Sequence, residues 1–403
     1  MTDFAAIAQA HGTPTYVYDA AAIRAAYRAF ASAFPGALIA YAVKSNTALA
    51  VMRLLAREGA GADIVSGGEL EACVRAGIAP GAIVFSGVGK TDAEITAALA
   101  AGVLQLNIES GAELARIAEI ARGMGLRAPV ALRLTPDVGG AAFDQTTTGR
   151  RGDKFGLLEE DLVPLYAQAH RHPDLDLRGL SVHIGSQILS LEPFAAAFAR
   201  LAEVVQRLRA QGLPVRALDL GGGLGIPYED VHAPPSVRDY EALVRRAIGP
   251  LDTEIILEPG RALVGAAGVI LARVVRVKEG ASGRFVVLDA GMNTLVRPAL
   301  YGARHRVEPL APRPGPLEPC AVVGPICESS DVLARDLPLP PVEAGDLILI
   351  RDAGAHGACL ASTYNAHPLP AEVLVDGDKA SLIRARQTVP DLFARDRVPA
   401  WLA

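Results

Sequence analysis

The chain has 403 residues, 51% of them hydrophobic and 21% charged, the composition of a folded globular protein with room for two or three domains, or for one barrel of about 250 residues and a companion. With 39 Lys and Arg against 44 Asp and Glu the net charge is −5, so no basic field invites nucleic acid or anionic lipid, and neither is expected as a partner. The longest apolar run, Ala262 to Ala272, is bounded by Arg261 and Arg273 and falls well short of the roughly 20 residues of a membrane span.

The first residues, MTDFAAIAQAHG, carry Asp3 and lack a basic segment running into an apolar one; this is not a secretory signal, and a cytoplasmic chain is expected. Cys73, Cys320, Cys327 and Cys359 include no CxxC pair, which points to reduced thiols. TPTYVYD, residues 13 to 19, predicts a strand able to pair with a distant β region, ahead of a helix near Ile23 to Phe30. From residue 38, short β-branched runs alternate with longer Ala- and Leu-rich segments of helical period. Candidate strands begin near Leu38, Gly61, Ala82, Leu104, Pro129, Leu175, Val215 and Glu254, and the first five starts are 21 to 25 residues apart. Eight strands with intervening helices predict an α/β fold, a (β/α)8 TIM-type barrel over residues 25–265, with an open doubly wound sheet as the alternative because pattern does not reveal closure. After Gly265 the runs VVRVKEG, RFVVLD, AVVG, DLILIRD and AEVLVD predict a C-terminal antiparallel β domain built from 266–403 together with 1–24. The Pro-rich stretches Pro309 to Pro319 and Pro338 to Pro341 read as surface connections.

In a βα barrel, functional groups gather at the C-terminal ends of the strands. Here those ends deliver Lys44, Asp63 with Ser66, Ser86, Glu109, Arg133, His183 with Ser186, Gly221 to Gly223, and Glu258 with Arg261. Each alone is explained by a helix cap or a loop hydrogen bond; their convergence on one rim points to a site. Lys44 closes the apolar run LIAYAV, where desolvation favours a neutral, nucleophilic amine that can hold a carbonyl cofactor; a lysine snorkelling to solvent is the other reading. The glycines of LDLGGGLG expose backbone N–H groups to an anion or serve a tight turn. Ile226 stands where a dinucleotide GxGxxG needs its third glycine, and IPYEDVHAPP does not begin a helix. His183 is either a core histidine or a ring that stacks on a heteroaromatic cofactor, and Glu258 either pairs with Arg261 or keeps a pyridine nitrogen protonated. GVGKT, residues 87 to 91, is half a P-loop, because Val84 occupies the first glycine position; Lys90 is then expected as a solvated first-turn residue of the next helix. His170 and His172 are two apart and do not form a metal pair, so no metal is expected. Arg297 and Tyr301, four apart on a Pro-started turn, share a face that could grip a carboxylate. Cys327, beside Glu328 in a Gly-Pro loop, is the best proton donor among the thiols.

YAVKSN, ADIVSGGEL, FSGVGKT, KFG, HIGSQ, DLGGGLGIPY, EPGR, RPALYGA, GPICESSD and PAEVLVDGD fall within a match from Thr13 to Trp401 that resembles the diaminopimelate decarboxylases. These form a branch of the alanine-racemase-like pyridoxal-phosphate enzymes that also contains ornithine decarboxylase. The resemblance implies a TIM-type barrel plus a C-terminal β domain, with Lys44 carrying pyridoxal 5'-phosphate covalently. It implies that His183 stacks on the cofactor ring, Arg133 lies near the phenolic oxygen, Ser186 and Gly221, Gly222 and Gly223 receive the phosphate, and Glu258 meets the ring nitrogen, with Asp63, Gly260, Arg261 and His356 as further cofactor contacts. Arg261, Arg297, Tyr301, Glu328 and His356 are implied as the grip on the amino-acid substrate, meso-diaminopimelate. Lys44, His183 and Cys327 are implied as catalytic, Cys327 returning a proton after decarboxylation at the D centre yields L-lysine. The Cys327–Glu328 loop is implied to reach into the site of a partner subunit in a homodimer. Three departures stand out: His356 makes GAHG of the family's GAYG, His367 in YNAHPLP replaces an arginine, and FDQTTTG lacks the histidine usual before the TG loop. They keep open a related decarboxylase acting on another diamino acid. A non-catalytic pyridoxal-phosphate carrier and a phosphoryl-transfer enzyme built on GVGKT are the alternatives from other classes.

Overall fold

The computed structural model describes residues 2–142, 146–228, 233–281 and 283–402. Two compact units emerge, one of Ile23–Pro227 with Val231–Leu263, the other of Met1–Ala22, Tyr228–Asp230 and Val264–Ala403. Strand β1 (Thr15–Asp19) belongs to the latter. In the former, β2 (Leu38–Ala42), β3 (Gly61–Ile64), β4 (Ile83–Phe85), β5 (Gln105–Ile108), β6 (Ala128–Leu134), β7 (Leu175–Val182), β8 (Ala217–Asp219) and β9 (Glu254–Leu257) run parallel and close into a barrel. Closure is made by β9 on β2, through Leu38 opposite Ile256 and Ile39 opposite Leu257, which rules out the open sheet.

The even pace of the early repeats has a local cause. Helices Gly67–Ala76, Asp92–Ala101 and Gly111–Met124 begin on Ser66, Thr91 and Ser110, whose hydroxyls accept the N–H of Glu69, Glu94 and Glu113. They stop on Gly77, Gly102 and Gly125 in the left-handed conformation that a side chain disfavours. Start and stop signals of this kind set each helix to the length that returns the chain to the next strand. Inside the barrel, Ala40, Val84 and Ile256 pack with Leu38 and Leu104 into an apolar layer near the strand starts. Further along, Gln105 Nε2 donates to Asn107 Oδ1 at 2.9 Å, and Asn107 Nδ2 reaches both Ser86 Oγ (3.0 Å) and Asp219 Oδ2 (2.8 Å). Polar groups this deep persist because each hydrogen bond offsets desolvation.

The other unit is a sheet of β1 with β10 (Gly268–Gly280), β11 (Gly283–Leu288), β12 (Val307–Pro309), β13 (Glu318–Val323), β14 (Val332–Leu339), β15 (Leu347–Ile350), β16 (Ala371–Asp376) and β17 (Lys379–Arg384). The order is β14-β13-β11-β10-β1-β16-β17, with β15 on β10 and β12 on β15. Most pairs are antiparallel, but β1 with β16 and β11 with β13 are parallel, so the sheet is mixed. No hairpin dictates the direction of β1, which arrives from the far N-terminus, and the long path from β11 to β13 permits a crossover. The first helix, Phe4–His11, covers this sheet with Ile7 and Ala8 against Val17, Leu271, Leu349 and Val373. Pro309, Pro319 and Pro338 lie inside strands, Pro319 opposite Pro338, and only the stretch between β12 and β13 is the exposed connection expected of the whole Pro-rich run. Each of these prolines is at or next to a strand end, where the missing N–H disturbs the ladder least. No described helix is long and apolar enough to cross a membrane.

Lys90 corrects the sequence reading. It precedes the helix, which starts at Asp92, and its side chain is wholly buried. Nζ donates to Gly87 O (2.6 Å), Asn107 O (2.7 Å) and Glu113 Oε1 (2.8 Å), so three acceptors hold an ammonium that hydropathy alone would send to solvent. Lys90→Ala leaves those acceptors and the Glu113 charge without their partner and is expected to destabilise the protein by about 3 kcal/mol, read as a lower urea midpoint at unchanged slope.

Candidate active site

A cavity of about 310 Å³ opens in the barrel unit, and Lys44, Asn107, Arg133, His183, Asp219 and Glu258 are among its walls. Lys44 sits in the turn Val43–Ser45 that follows β2, and its Nζ lies 2.7 Å from Oδ2 of Asp63, a fully buried carboxylate in β3. Burial alone lowers the Lys44 pKa, but the opposing charge of Asp63 and its hydrogen bond to the amine outweigh it and raise the value. The amine of the cofactor-free protein is therefore an ammonium, contrary to the neutral amine expected from desolvation.

Glu258 follows β9, and its N–H donates to Gly221 O at 2.8 Å. Its carboxyl faces that of Asp219 at the end of β8. Burial, then the charges of Asp219 and Asp63, push the Glu258 pKa well above the usual range, so it keeps its proton and donates to Asp219. Asp219 is itself pushed up to about 6, by burial first, despite hydrogen bonds from Asn107, Glu258 and the Gly221 N–H that favour its charge. Two adjacent buried carboxyls cannot both ionise, and they divide the roles of acid and base between them. The second oxygen of Glu258, Oε1, is buried and has no hydrogen-bond partner among the described residues.

His183 closes β7. Its Nδ1 accepts the Gly222 N–H at 3.2 Å, and burial, with the charges of Lys44 and Arg133, lowers its pKa far below 6.5, so the ring is neutral with its proton on Nε2. Arg133 of β6 donates to Glu109 Oε1 (2.8 Å) and lies 4.8 Å over the Phe155 ring, while Glu109 also accepts the N–H of Gly87 and Gly156. Arg261 Nη2 donates to Ser186 Oγ at 3.2 Å. The Gly221 and Gly222 amides are engaged within the protein, so these glycines also answer a packing demand: a Cβ at Gly222 would sit 2.1 Å from the Glu258 carbonyl oxygen. Gly260 is equally confined, with Ala42 Cβ at 3.0 Å and Ser45 Oγ at 3.1 Å from the place of a Cβ. Among the described residues no group of three or more His, Cys, Asp or Glu side chains could hold a metal ion.

In the other unit Arg297 is fully buried at the start of the short helix Arg297–Tyr301, and Tyr301 at its end is half-buried. Cys327 and Glu328 are exposed on a loop whose backbone is pinned beneath them, as buried Asp331 accepts the N–H of Met292 (2.6 Å) and Ile326 (2.7 Å). The Cys327 N–H donates to Asn365 Oδ1 at 2.9 Å, and the Tyr364 hydroxyl donates to Glu328 Oε1 at 2.6 Å. His356 is half-buried and adopts a left-handed φ of 53°. A larger cavity of about 620 Å³, with Phe4, Val17, Leu349 and the ion pair Glu308–Arg351 in its walls, contains none of the candidate residues. Phe143, Asp144 and Gln145 of FDQTTTG and residues 229–232 of IPYEDVHAPP lie outside the described residues.

Sequence reasoning missed Asp219, Asn107 and Gln105. The last two carry a signal, polar residues two apart in the otherwise apolar buried strand LQLNIE, which places them on one face. The Asp219 shift sets a pH dependence for the cofactor-free protein. A carboxyl whose pKa rises on folding contributes stability below its unfolded value and loses it as pH climbs through the folded value. Asp219→Asn is therefore expected to gain stability relative to the native chain as pH rises from 3.8 to about 6, with no further gain from this group above that window, measured as the difference in urea midpoints.

Known proteins resemble this chain in sequence and in fold. Residues 20–265 match the family model described as the pyridoxal-binding domain of pyridoxal-dependent decarboxylases. The chain is 44% identical to the diaminopimelate decarboxylase of Zymomonas mobilis, over 98% of this chain and 95% of that protein. It superposes on the crystal structure of Helicobacter pylori diaminopimelate decarboxylase complexed with L-lysine with a TM-score of 0.94 at 39% identity, covering 97% of this chain and 98% of that one. The M. jannaschii diaminopimelate decarboxylase, also in complex with L-lysine, gives a TM-score of 0.95 at 36% identity, over 99% and 95% of the two chains. The chain belongs to the pyridoxal-dependent decarboxylases and, within them, to the diaminopimelate decarboxylase family.

Proposed function

We infer that this chain removes CO2 from meso-diaminopimelate at its D centre and releases L-lysine, with pyridoxal 5'-phosphate as cofactor. The observation that carries this reading is the buried Glu258 Oε1, which has no partner among the described residues, in a cavity also walled by Lys44 and the neutral ring of His183. A protonated pyridine nitrogen satisfies that oxygen, so the residues present fit the cofactor. When bound, pyridoxal phosphate supplies an electron sink for the charge left by the departing CO2.

The residues divide the work. Lys44 would hold the cofactor through Nζ, and Asp63 would steer that amine. Glu258, backed by Asp219, would keep a proton at the ring nitrogen. His183 offers a flat uncharged face, and Arg133, braced by Glu109, a cation for the phenolic oxygen. Ser186, Arg261, Gly260 and the Gly221–Gly223 turn would receive the phosphate. Arg297, Tyr301 and Glu328, with Arg261 and His356, would bind the far amino-acid end of the substrate, and Cys327 would return a proton to the reacting carbon. We also read the protein as a cytoplasmic homodimer with shared sites. Cysteines that form no disulfide among the described residues accord with a reducing compartment, and the exposure of the Cys327–Glu328 loop supports its donation to a second copy.

Holoenzyme given meso-diaminopimelate should yield CO2 and lysine in equal amounts; substrate returned only epimerised would refute the reading. Borohydride treatment should leave the cofactor's label on Lys44 and none on Lys44→Ala. Cys327→Ala should cut kcat by roughly 10²- to 10⁴-fold, the range for a lost general acid. If sites are shared, mixing inactive Lys44→Ala with inactive Cys327→Ala should restore part of the activity; no recovery on mixing under conditions that exchange subunits speaks against sharing.

A further inference from the structure

We infer that His305, together with Tyr228, positions Arg297 for the substrate's far carboxylate. The inference rests on the reading of Arg297 given above and deepens it: His305 is a positioning residue whose hydrogen bond sets the guanidinium.

Arg297 Nη1 has two hydrogens and two neutral acceptors, the Tyr228 hydroxyl at 2.7 Å and His305 Nε2 at 3.0 Å. The guanidinium carbon also lies 4.7 Å from the centre of the Tyr228 ring, and that ring meets the His305 ring edge-on, centroids 5.0 Å apart at 71°. Hydroxyl, imidazole and aromatic face thus restrict a side chain that otherwise has many rotamers. The direction of the His305 bond follows from its other nitrogen. Nδ1 is 2.9 Å from the Arg351 carbonyl oxygen, which can only accept, so the proton is on Nδ1 and Nε2 offers a lone pair to Arg297.

That carbonyl is itself fixed. Arg351 directly follows β15, its N–H donates to Arg306 O at 2.8 Å, and β12 pairs with β15 through Val307 opposite Ile350. A sheet end therefore orients the imidazole, and the imidazole orients the guanidinium. A cation that must meet a planar carboxylate in a fork gains from this arrangement, since small misplacements of a binding group weaken it strongly.

Two substitutions separate positioning from simple packing. His305→Asn keeps a donor near the Nδ1 position for the Arg351 carbonyl but does not reach Arg297; His305→Gln carries an oxygen to about the Nε2 position and can accept from it. In the holoenzyme, His305→Asn is expected to weaken inhibition by L-lysine, which retains the far carboxylate, by roughly 10- to 100-fold, the range for a hydrogen bond to a charged group, and to raise KM for diaminopimelate in step. Inhibition by cadaverine, the diamine without a carboxylate, and kcat should change little, and His305→Gln should recover most of the lysine affinity. Equal weakening of lysine and cadaverine in His305→Asn, or no recovery in His305→Gln, would overturn the inference. Arg297→Lys separates the two levels. Lost preference for lysine over cadaverine in Arg297→Lys, with the preference intact in His305→Asn, overturns the role of His305 alone. Preference intact in Arg297→Lys overturns the Arg297 reading on which it stands.

Discussion

Crowding Asp63, Asp219 and Glu258 with one amine inside a parallel barrel is an electrostatic problem with few solutions, and the chosen one shapes the rest of the site. Desolvation opposes every charge in the group, and the carboxyls repel one another. Lys44 meets Asp63 at 2.7 Å and stays charged, whereas Glu258 retains its proton and donates to Asp219. The arrangement leaves one oxygen of Glu258 without a hydrogen-bond partner among the described residues, which is tolerable in a protein that has a cationic ring nitrogen to place there and costly otherwise.

The surrounding framework is built to hold that balance rigid. Asn107 fixes Asp219 from across the barrel and is itself held by Gln105. Buried Lys90 ties Glu113 to the backbone of Asn107, and Glu113 accepts the N–H of Glu109, the residue that braces Arg133. A lysine with no part in the chemistry thus links the helix starts to the rim. Hydrogen bonds chained through a low-dielectric interior reinforce one another, which stiffens this network even though Gln105 Oε1 at its end has no partner among the described residues.

The β-sheet unit solves a different problem. Its candidate substrate cation is fully buried and is aimed through the neutral groups Tyr228 and His305, while its candidate acid loop is exposed and held from beneath by Asp331. One group is fixed by its own side-chain contacts, the other by backbone anchoring that leaves the thiol outward. Both depend on irregular segments between strands, where function is commonly placed.

Much of this was legible in the chain. Apolar runs at 21 to 25 residues, with Ser, Thr and Gly as start and stop signals, determine parallel strands and helices because these effects are local, and strand-end residues such as Lys44, His183 and Glu258 announce a rim. Closure of the sheet, the parallel pairing of β1 with β16, the burial of Lys90, and the partners of Glu258 and Arg297 were decided only by tertiary structure. Each depends on distance between residues far apart in sequence. The protonation of an amine or a carboxyl is likewise set by which charges surround it in space, as the raised pKa of Lys44 shows against the bias of its own apolar strand.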